Sequence, residues 1–305
     1  MNQLRVVVSS VVLSVVALGA RAHADGRAWA AIQPHLPADV FVVGGANLGK
    51  VRTSKIYKTA IPALIAADQD HQQALAMIKA QCKIDVLDAI DDAVVAMSAE
   101  DKGVIVVALK GVDHAKFDTC LSAIAKQHDK TTITSAKVGD LTEYTASGET
   151  DKLYLAWLAS DVLAMATEPK DKALLAGFVG GKGASAELSG AVAKAGTSDP
   201  VWCAMAKATP VPDVGTLKAG YGSIKLAGGK LAIGAHLVMS SAAEAGTLAQ
   251  GAKVALADAV KKVPAALQKI AKSIAIATAG ADVTITGSMP DTSTQDLVKL
   301  FDKMF

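Results

Sequence analysis

The stretch Asp92–Lys110, DAVVAMSAEDKGVIVVALK, predicts a β-hairpin and with it the type of fold. Two apolar runs, Asp92–Met97 and Gly103–Lys110, flank a polar tip at Ser98–Lys102. Apolar runs of this length on either side of a short polar turn are typical of adjacent antiparallel strands. Such hairpins present an apolar face that helices must cover, so the segment favours an α+β architecture.

The segments around this hairpin extend the same plan. Asp39–Gly44 (DVFVVG) is predicted to be a buried strand that ends at Gly44-Gly45, and Asp113 is predicted to cap the helix that follows the hairpin. The other elements predicted for the first half are helices over Val51–Ala67 and Gln72–Gln81, strands over Lys130–Ala136, Asp140–Ala146, Lys152–Ala159 and Val162–Thr167, and a helix entered through Pro169 that contains Phe178.

The second half of the chain repeats this order in a shorter form. A strand at Pro200–Ala206 precedes a hairpin over Lys218–Leu226 and Lys230–Met239. Ser241 and Glu244 then have the spacing of a capping box at the start of a long helix. The remaining predictions for this half are an interruption of the long helix at Pro264, strands over Ser273–Ala279 and Asp282–Gly287, and a helix entered through Pro290 that contains Leu297, Leu300, Phe301 and Met304.

The sequence therefore predicts an α+β fold of two related halves, each a mainly antiparallel sheet covered by helices. Residues 1–24 are predicted to be a signal peptide, and residues 25–180 a first repeat that contains an extra helix pair. Residues 181–198, rich in Gly, Ala, Ser and Lys, are predicted to be a linker with a short helix over Ser185–Ala195. Residues 199–305 form the second, shorter repeat.

The N-terminal residues predict export. Arg5 precedes an apolar run from Val6 to Gly19, and Ala22-His23-Ala24 supplies the small residues that a signal peptidase recognises. The apolar run is about 14 residues long, which is too short to cross a bilayer as a helix. Cleavage after Ala24 would give a chain that begins at Asp25 and resides in the periplasm or outside the cell.

The composition excludes several classes of partner. The first 24 residues contain two of the 31 basic residues and none of the 29 acidic ones, which leaves the remainder balanced at 29 of each. A balanced chain has no excess positive charge with which to bind nucleic acid by counterion release. Aromatic residues make up only 4% of the chain, so the core is expected to consist of small aliphatic groups. No nucleic acid partner and no stable membrane insertion after signal cleavage are predicted.

Several short segments resemble a known group of proteins. Leu36-Pro37-Ala38-Asp39 stands before the first strand, Cys82-Lys83-Ile84-Asp85 follows a helix, and Cys120 lies in a later helix. In these features the chain resembles exported bacterial proteins of unknown function that open with Leu-Pro-Ala-Asp, over most of residues 36–180. The resemblance implies an exported location and this architecture, and it supplies no catalytic residue. A glycine commonly follows the first cysteine in that group, and Lys83 stands there in this chain.

The three cysteines are predicted to have different roles. Cys82 lies at a helix end and Cys120 on the apolar stripe of another helix, so a disulfide between them is predicted, with two buried free thiols as the alternative. A bond that closes this loop would stabilise the fold by roughly 4 kcal/mol. Cys203 is predicted to point inward from its strand, and its neighbour Trp202 to point to the other side. No base that would activate Cys203 is visible in the sequence.

One glycine-rich segment resembles a nucleotide-binding motif. Gly44–Lys50, GGANLGK, has the spacing of a phosphate-binding loop, but Val51 stands where such a loop needs Ser or Thr to hold magnesium. The segment is therefore interpreted as a glycine-rich turn between a strand and a helix. No cofactor is predicted.

Metal and catalytic motifs are also absent from the sequence. Asp85, Asp88, Asp91 and Asp92 lack the alternating ligands of a calcium loop, and capping and turn formation explain them better. His236 lies in an otherwise apolar strand and is the histidine of most interest. Neither a Gly-x-Ser-x-Gly elbow nor paired metal-binding histidines are present, so no catalytic residue and no metal ligand is predicted. The histidines considered are His35, His71, His114, His128 and His236.

These observations predict a non-catalytic exported envelope protein with a binding or structural role, whose partner is an unknown protein or a small apolar ligand. Two alternatives stay open. The first is a carrier of a hydrophobic ligand, held between sheet and helices or between the halves. The second is a periplasmic hydrolase whose site is assembled from distant residues. A polar cleft in which His, an acid and Ser or Cys meet would favour the hydrolase, and an apolar cavity would favour the carrier.

Overall fold

The fold is built on one antiparallel sheet that carries helices on both faces. A computed structural model describes residues 26–66, 68–98, 102–127, 132–148, 152–181, 183–262, 268 and 271–290. The strands are β1 (Val40–Asn47), β2 (Ile90–Ser98), β3 (Lys102–Leu109), β4 (Ile133–Val138), β5 (Leu141–Ala146), β6 (Lys152–Ala159), β7 (Val162–Ala166), β8 (Val201–Met205), β9 (Thr209–Val211), β10 (Gly215–Ala227), β11 (Lys230–Met239), β12 (Ala275–Ala279) and β13 (Asp282–Pro290). The helices are α1 (Arg27–Ile32), α2 (Leu48–Val51), α3 (Lys55–Ala66), α4 (Gln69–Cys82), α5 (Val86–Ala89), α6 (His114–Gln127), α7 (Lys172–Gly180), α8 (Ala186–Ala195) and α9 (Ala242–Lys262), with 3₁₀ turns at Gln33–His35 and Pro169–Asp171.

The strands of the described ranges form a single sheet. Their order is β12-β13-β11-β10-β8-β1-β2-β3-β7-β6-β5-β4, with β9 beside β10. Every pairing is antiparallel. This confirms the predicted α+β class with a large antiparallel sheet covered by helices. Both sides of the predicted linker contribute to the same sheet, because β1 pairs directly with β8.

The strand order is similar on the two sides of the β1–β8 pair. Outward from β1 it runs β2, β3, β7 and β6, and outward from β8 it runs β10, β11, β13 and β12. On each side a hairpin follows the central strand, and a long helix, α6 or α9, connects that hairpin to the next strands. Strands β4 and β5 extend the first side alone. This order agrees with the duplication expected from the sequence, and the duplication itself stays a prediction.

A tryptophan closes the junction between β1 and β8. Gly45 of β1 lies opposite Trp202 of β8. The Trp202 ring is almost fully buried and contacts Trp29 of α1 edge to face, with ring centroids 5.0 Å apart. A Cβ atom at Gly45 would lie 2.7 Å from Cζ2 of the indole. The absence of a side chain at Gly45 therefore leaves the space that the indole fills.

This contact corrects the interpretation of Gly44–Lys50 as a turn. Strand β1 does not end at Gly44-Gly45 but continues to Asn47, and a short helix begins at Leu48. The two glycines are strand residues that β8 approaches closely, which is a common reason for glycine inside a strand. Lys50, where a nucleotide loop holds phosphate, donates a hydrogen bond to the backbone carbonyl of Ser198.

One face of the sheet, here called the back face, carries Trp202 and is covered by α1, α7 and α8. Helix α7 follows the proline-led turn as predicted, and its Phe178 is fully buried. Helix α8 lies within the predicted linker and confirms the short helix expected there, and the Ser185 hydroxyl accepts a hydrogen bond from the Leu188 N–H at its start. Leu188 is fully buried as well, so this segment packs on the sheet.

The opposite face, here called the front face, carries Cys203 and has helices toward both ends. Helices α2 to α6 cover β2, β3 and β7, and α9 covers β11, β12 and β13. A Cys82–Cys120 disulfide connects α4 to α6 within the first group, as the sequence predicts. In the described residues the front face therefore has two helical covers, with the middle strands between them. The first group also packs against Leu226 near the end of β10.

The predicted helix caps are present where the structure describes them. The Asp113 carboxylate accepts a 2.8 Å hydrogen bond from the Lys116 N–H, and the Ser241 hydroxyl accepts one from the Glu244 N–H. The Glu244 carboxylate accepts hydrogen bonds from the N–H groups of Ser240 and Thr216, so the predicted capping box is present in its Ser241 half. The predicted signal peptide, His128, the helix break at Pro264 and the last predicted helix with Leu297, Leu300, Phe301 and Met304 lie outside the described residues.

Loss of the disulfide should lower the stability of the fold. The bond joins residues 38 positions apart, so it restricts the unfolded chain. We expect the double variant Cys82→Ser with Cys120→Ser to lower the free energy of unfolding by about 2–4 kcal/mol in urea titrations. Cys203→Ser is the matched control and should change it by less than about 0.5 kcal/mol, because Cys203 is exposed. Equal stability of wild type and the double variant would contradict the structural role of the bond.

A methyl group at Gly45 should disturb the junction of β1 and β8. The added carbon would overlap the Trp202 indole, so Gly45→Ala should lower the free energy of unfolding by about 1–3 kcal/mol. Gly234 of β11 is the control position, because a Cβ atom there has no neighbour within 4 Å. Thermal unfolding of the two variants provides the comparison. If both substitutions have the same small effect, the proposed close packing of Trp202 on Gly45 is wrong.

Candidate functional site

The middle of the front face is apolar and has no helix over it in the described part of the chain. A row of small residues crosses four neighbouring strands in register, and larger apolar residues stand on both sides of that row. We call this surface the apolar trough. Its floor is Gly44, Cys203, Gly222 and Ala235. One wall is Val42, Met205, Gly220 and Leu237, in which Gly220 leaves a gap, and the other is Ala46, Val201, Ile224 and Ile233.

The trough has a defined length. Its floor crosses β1, β8, β10 and β11, which at about 4.8 Å between neighbouring strands gives roughly 14 Å. The register continues the floor to Val95 of β2 at one end and to Ile285 of β13 at the other. Val95 packs against the α2–α6 helices. Leu237 of the wall packs against α9. Each helical cover thus borders one end of the trough.

The two faces of these strands differ in exposure. On β8 the back-face residues Trp202 and Ala204 are buried, whereas Cys203 between them is exposed. On β2 the back-face residue Ala96 is fully buried, while Met97 on the front face is 36% exposed. Ile233 in the trough wall is 41% exposed. Cys203 and Ile233 are thus the exposed members of the trough. Contiguous apolar surface that remains accessible in a folded chain is typical of an interaction site.

The strand packing requires a glycine at Gly222. A Cβ atom at Gly222 would lie 3.0 Å from the Cα atom of Ala235 on β11. Close approach of the β10 and β11 backbones therefore accounts for this glycine without any ligand. The low floor is a consequence of strand packing. The feature that strand packing does not account for is the partial exposure of the walls, in which Ile233 is exposed, Ala46 and Gly220 are buried and the other five residues are half-buried.

The structure corrects the orientation predicted for Cys203. The sequence predicts an inward Cys203, but the thiol lies exposed on the trough floor and Trp202 is the inward residue. The large indole occupies the core because it packs on Gly45 and Trp29, and the alternation of side chains then turns Cys203 to the front. Partial burial among apolar neighbours raises the pKa of the Cys203 thiol. A raised pKa keeps the sulfur in its less reactive thiol form at neutral pH.

His236 belongs to a polar cluster on the back face, away from the trough. Its ring stacks on Tyr221 with centroids 4.8 Å apart, and its Nδ1 atom lies 3.3 Å from the Asp282 carboxylate. The Thr284 hydroxyl lies 3.4 Å from the same nitrogen. Burial raises the pKa of Tyr221, and the Asp282 charge adds to this effect.

This cluster does not have the arrangement of a hydrolase. In a nucleophile–His–acid triad, the acid and the nucleophile contact different ring nitrogens, so that the imidazole can relay a proton. Here Asp282 and Thr284 both face Nδ1 of His236. Cys203 lies on the other face of the sheet. The geometry therefore fits a hydrogen-bonded surface histidine.

The aspartates that sequence analysis considered for calcium have structural partners. The Asp92 carboxylate accepts hydrogen bonds from the N–H groups of Ala28 (2.7 Å) and Arg27 (3.1 Å) at the start of α1. Burial raises the pKa of Asp92, and these two hydrogen bonds oppose that shift. Asp91 pairs with the Arg27 guanidinium, and Asp85 pairs with the amine of Lys79. Asp92 thus has the capping role predicted for the group, whereas Asp91 and Asp85 form ion pairs.

No metal site is found in the part of the chain that the structure describes. No group of three or more His, Cys, Asp or Glu side chains there is arranged to hold an ion. His71 lies 2.9 Å from Asp68 and His114 lies 3.3 Å from Asp118, at the spacings of neighbouring side chains on a helix. None of the described helices is both long and apolar enough to span a membrane.

Sequence reasoning missed the trough for an identifiable reason. Its floor depends on which residues of β1, β8, β10 and β11 stand opposite one another, and β1 and β8 are far apart in sequence. One signal was present. Gly44 and Gly222 both lie inside apolar strands, where glycine indicates close approach of another group.

Two solved structures have a similar fold. Crystal form III of TP0453 matches with a TM-score of 0.51 at 12% identity, over 88% of this chain and 97% of that chain. Crystal form I of TP0453 matches with a TM-score of 0.50 at 11% identity, over the same shares of the two chains. At this level of identity the likeness concerns the fold alone. No family model and no curated protein matches the sequence.

The exposure of Cys203 can be tested by alkylation of the folded protein. An uncharged maleimide should add once per chain, at Cys203, because Cys82 and Cys120 form a disulfide. The rate should increase with pH and be lower than that of a free cysteine at the same pH, because the raised pKa reduces the thiolate fraction. Peptide mass spectrometry identifies the modified residue. A folded chain that resists alkylation until it is denatured would show that the trough floor is covered.

Proposed function

We propose that this chain is a non-catalytic exported binding protein that carries an apolar ligand, and that an unbranched hydrocarbon chain of that ligand lies in the apolar trough. The observation that carries the proposal is the apolar middle of the front face, which in the described part of the chain is partly exposed, with Cys203 and Ile233 its exposed members. None of the residues that form the floor or the walls of the trough carries a charge. Removal of apolar surface from water would drive binding there, at about 0.8 kcal/mol for each buried methylene group.

The shape of the trough favours a chain over a protein helix. Its two walls are four residues apart along each strand, roughly 13 Å between Cα atoms. The side chains of Val201 and Met205 on β8 narrow that space from both sides. A helix with its side chains measures about 10–12 Å across and would not enter. A single extended hydrocarbon chain fits along the row of small residues.

The position of the trough agrees with the carrier considered from the sequence. The predicted carrier holds its ligand between sheet and helices or between the halves. The trough crosses the β1–β8 pair, where the two predicted repeats meet, and has a helical cover at each end. A ligand bound there would contact both repeats.

Export is part of the proposal and rests on the sequence. Residues 1–24 have the features of a signal peptide and lie outside the described residues. The Cys82–Cys120 disulfide supports an oxidising compartment such as the periplasm or the extracellular space. The geometry of His236, with its acid and hydroxyl neighbours on one nitrogen, supports a non-catalytic role over the hydrolase alternative.

A pair of substitutions at one position tests the proposal. Cys203→Phe places an aromatic ring on the trough floor, whereas Cys203→Ser keeps the size of the native side chain. The probe is cis-parinaric acid, a fluorescent unbranched fatty acid. We expect wild type and Cys203→Ser to bind the probe with similar affinity, and Cys203→Phe to bind at least about tenfold more weakly, which corresponds to about 1.4 kcal/mol.

Circular dichroism and thermal unfolding should show that both variants keep the native fold, since residue 203 is exposed. Two results would refute the proposal: no saturable binding of the probe by wild type, or equal binding by wild type and Cys203→Phe.

A further inference from the structure

The sheet ends on one side at a strand whose outer edge has no partner among the described strands. This strand is β12, Ala-Ile-Ala-Thr-Ala, which pairs with β13 alone. Ala275, Ala277, Thr278 and Ala279 are exposed, and Ile276 is half-buried. We infer that two copies of this chain pair through β12, edge to edge and antiparallel.

The two ends of the sheet differ in how they are protected. Proteins commonly place a charged residue, a proline or a bulge in an edge strand, so that other strands do not add to it. At the far end of the sheet, β4 contains the exposed Lys137 in its pairing segment. Strand β12 contains neither a charged residue nor a proline, and its pairing with β13 is regular. The β12 edge thus lacks the protection that β4 has.

The sequence of β12 is compatible with pairing to a second copy of itself. In an antiparallel pair centred on Ala277, Ala275 of each copy stands opposite Ala279 of the other, and Ile276 stands opposite Thr278. The alanines share one face and present no bulky group, while Ile and Thr form the β-branched cross-strand pairs that sheets favour. The contact is the same from either copy, as a two-fold symmetric dimer requires.

The turn after β12 leaves room for such a pair. Gly280 follows Ala279 directly and adopts a positive φ of 59°. A Cβ atom at Gly280 has no neighbour within 4 Å. Among the described residues, the space beside Gly280 at the end of the strand is therefore open, where the incoming strand of the second copy would begin.

This dimer would place both troughs on the same side of one extended sheet. A two-fold axis perpendicular to the sheet keeps the front face of one copy continuous with the front face of the other. Ile276 stands opposite Ile285 of β13 and lies on that front face. The two bound hydrocarbon chains would then face the same direction.

Sedimentation equilibrium of the full exported chain tests the inference. Wild type should show a monomer–dimer equilibrium that moves toward the dimer as the concentration rises. Ala277→Lys places two positive charges face to face on the axis and should abolish the dimer. Ala136→Lys, on the exposed β4 edge, is the matched control and should leave the equilibrium unchanged. Neither position contacts the trough, so binding of cis-parinaric acid should be equal in both variants.

A cross-link supplies a second readout. In a Cys203→Ser background, Ala277→Cys should form a disulfide-linked dimer on mild oxidation, because residue 277 of one copy faces residue 277 of the other. Ala136→Cys in the same background should form no disulfide-linked dimer, because residue 136 lies at the other end of the sheet. A wild-type chain that remains monomeric at every concentration would overturn the inference, as would a dimer that Ala277→Lys leaves intact.

Discussion

The packing of Trp202 on Gly45 is the contact on which the architecture depends. It lies where β1 meets β8, and this pair unites strands from both sides of the predicted linker in one sheet. The indole is nearly fully buried, touches Trp29 of α1 and occupies the space that a side chain at residue 45 would fill. In a chain with few aromatic residues, this is the largest single group at the centre of the sheet. Its placement fixes the register of the central strands.

That register also creates the candidate site. Side chains alternate between the faces of a strand, so Trp202 on the back face requires Cys203 on the front face. A shift of one residue would exchange the two faces and would expose the indole. The same alternation places Gly44 and Gly222 beside Cys203, which gives the trough its low floor. The apolar surface is thus the front side of the pairing that holds the core together.

Local patterns in the sequence predict local parts of the structure. The hairpin at Asp92–Lys110, the cap at Asp113 and the proline-led helix with Phe178 each depend on residues that are close in sequence. The Cys82–Cys120 pair is also correct, because both cysteines lie on helix positions that the pattern identifies. These features account for the correct fold class.

Features that depend on distant pairings could not be predicted in the same way. Gly44-Gly45 has the appearance of a turn until a strand more than a hundred residues away is known to pack against it. Cys203 and Trp202 both fit an inward position, and only the partner at Gly45 decides between them. The trough is still harder to predict from the sequence, since its floor combines residues from four strands. For this reason the sequence left a small apolar ligand as one possible partner beside an unknown protein, and it did not locate a site for either.

Photo-cross-linking with a fatty acid that carries a diazirine along its chain tests the central claim most directly. After illumination and digestion, we expect adducts on front-face residues of β1, β8, β10 and β11, among them Cys203 and Ile233, and we expect these adducts to be lost when excess unlabelled fatty acid competes. Adducts confined to the back face or to the outer surface of α9, or adducts that unlabelled fatty acid does not reduce, would contradict it.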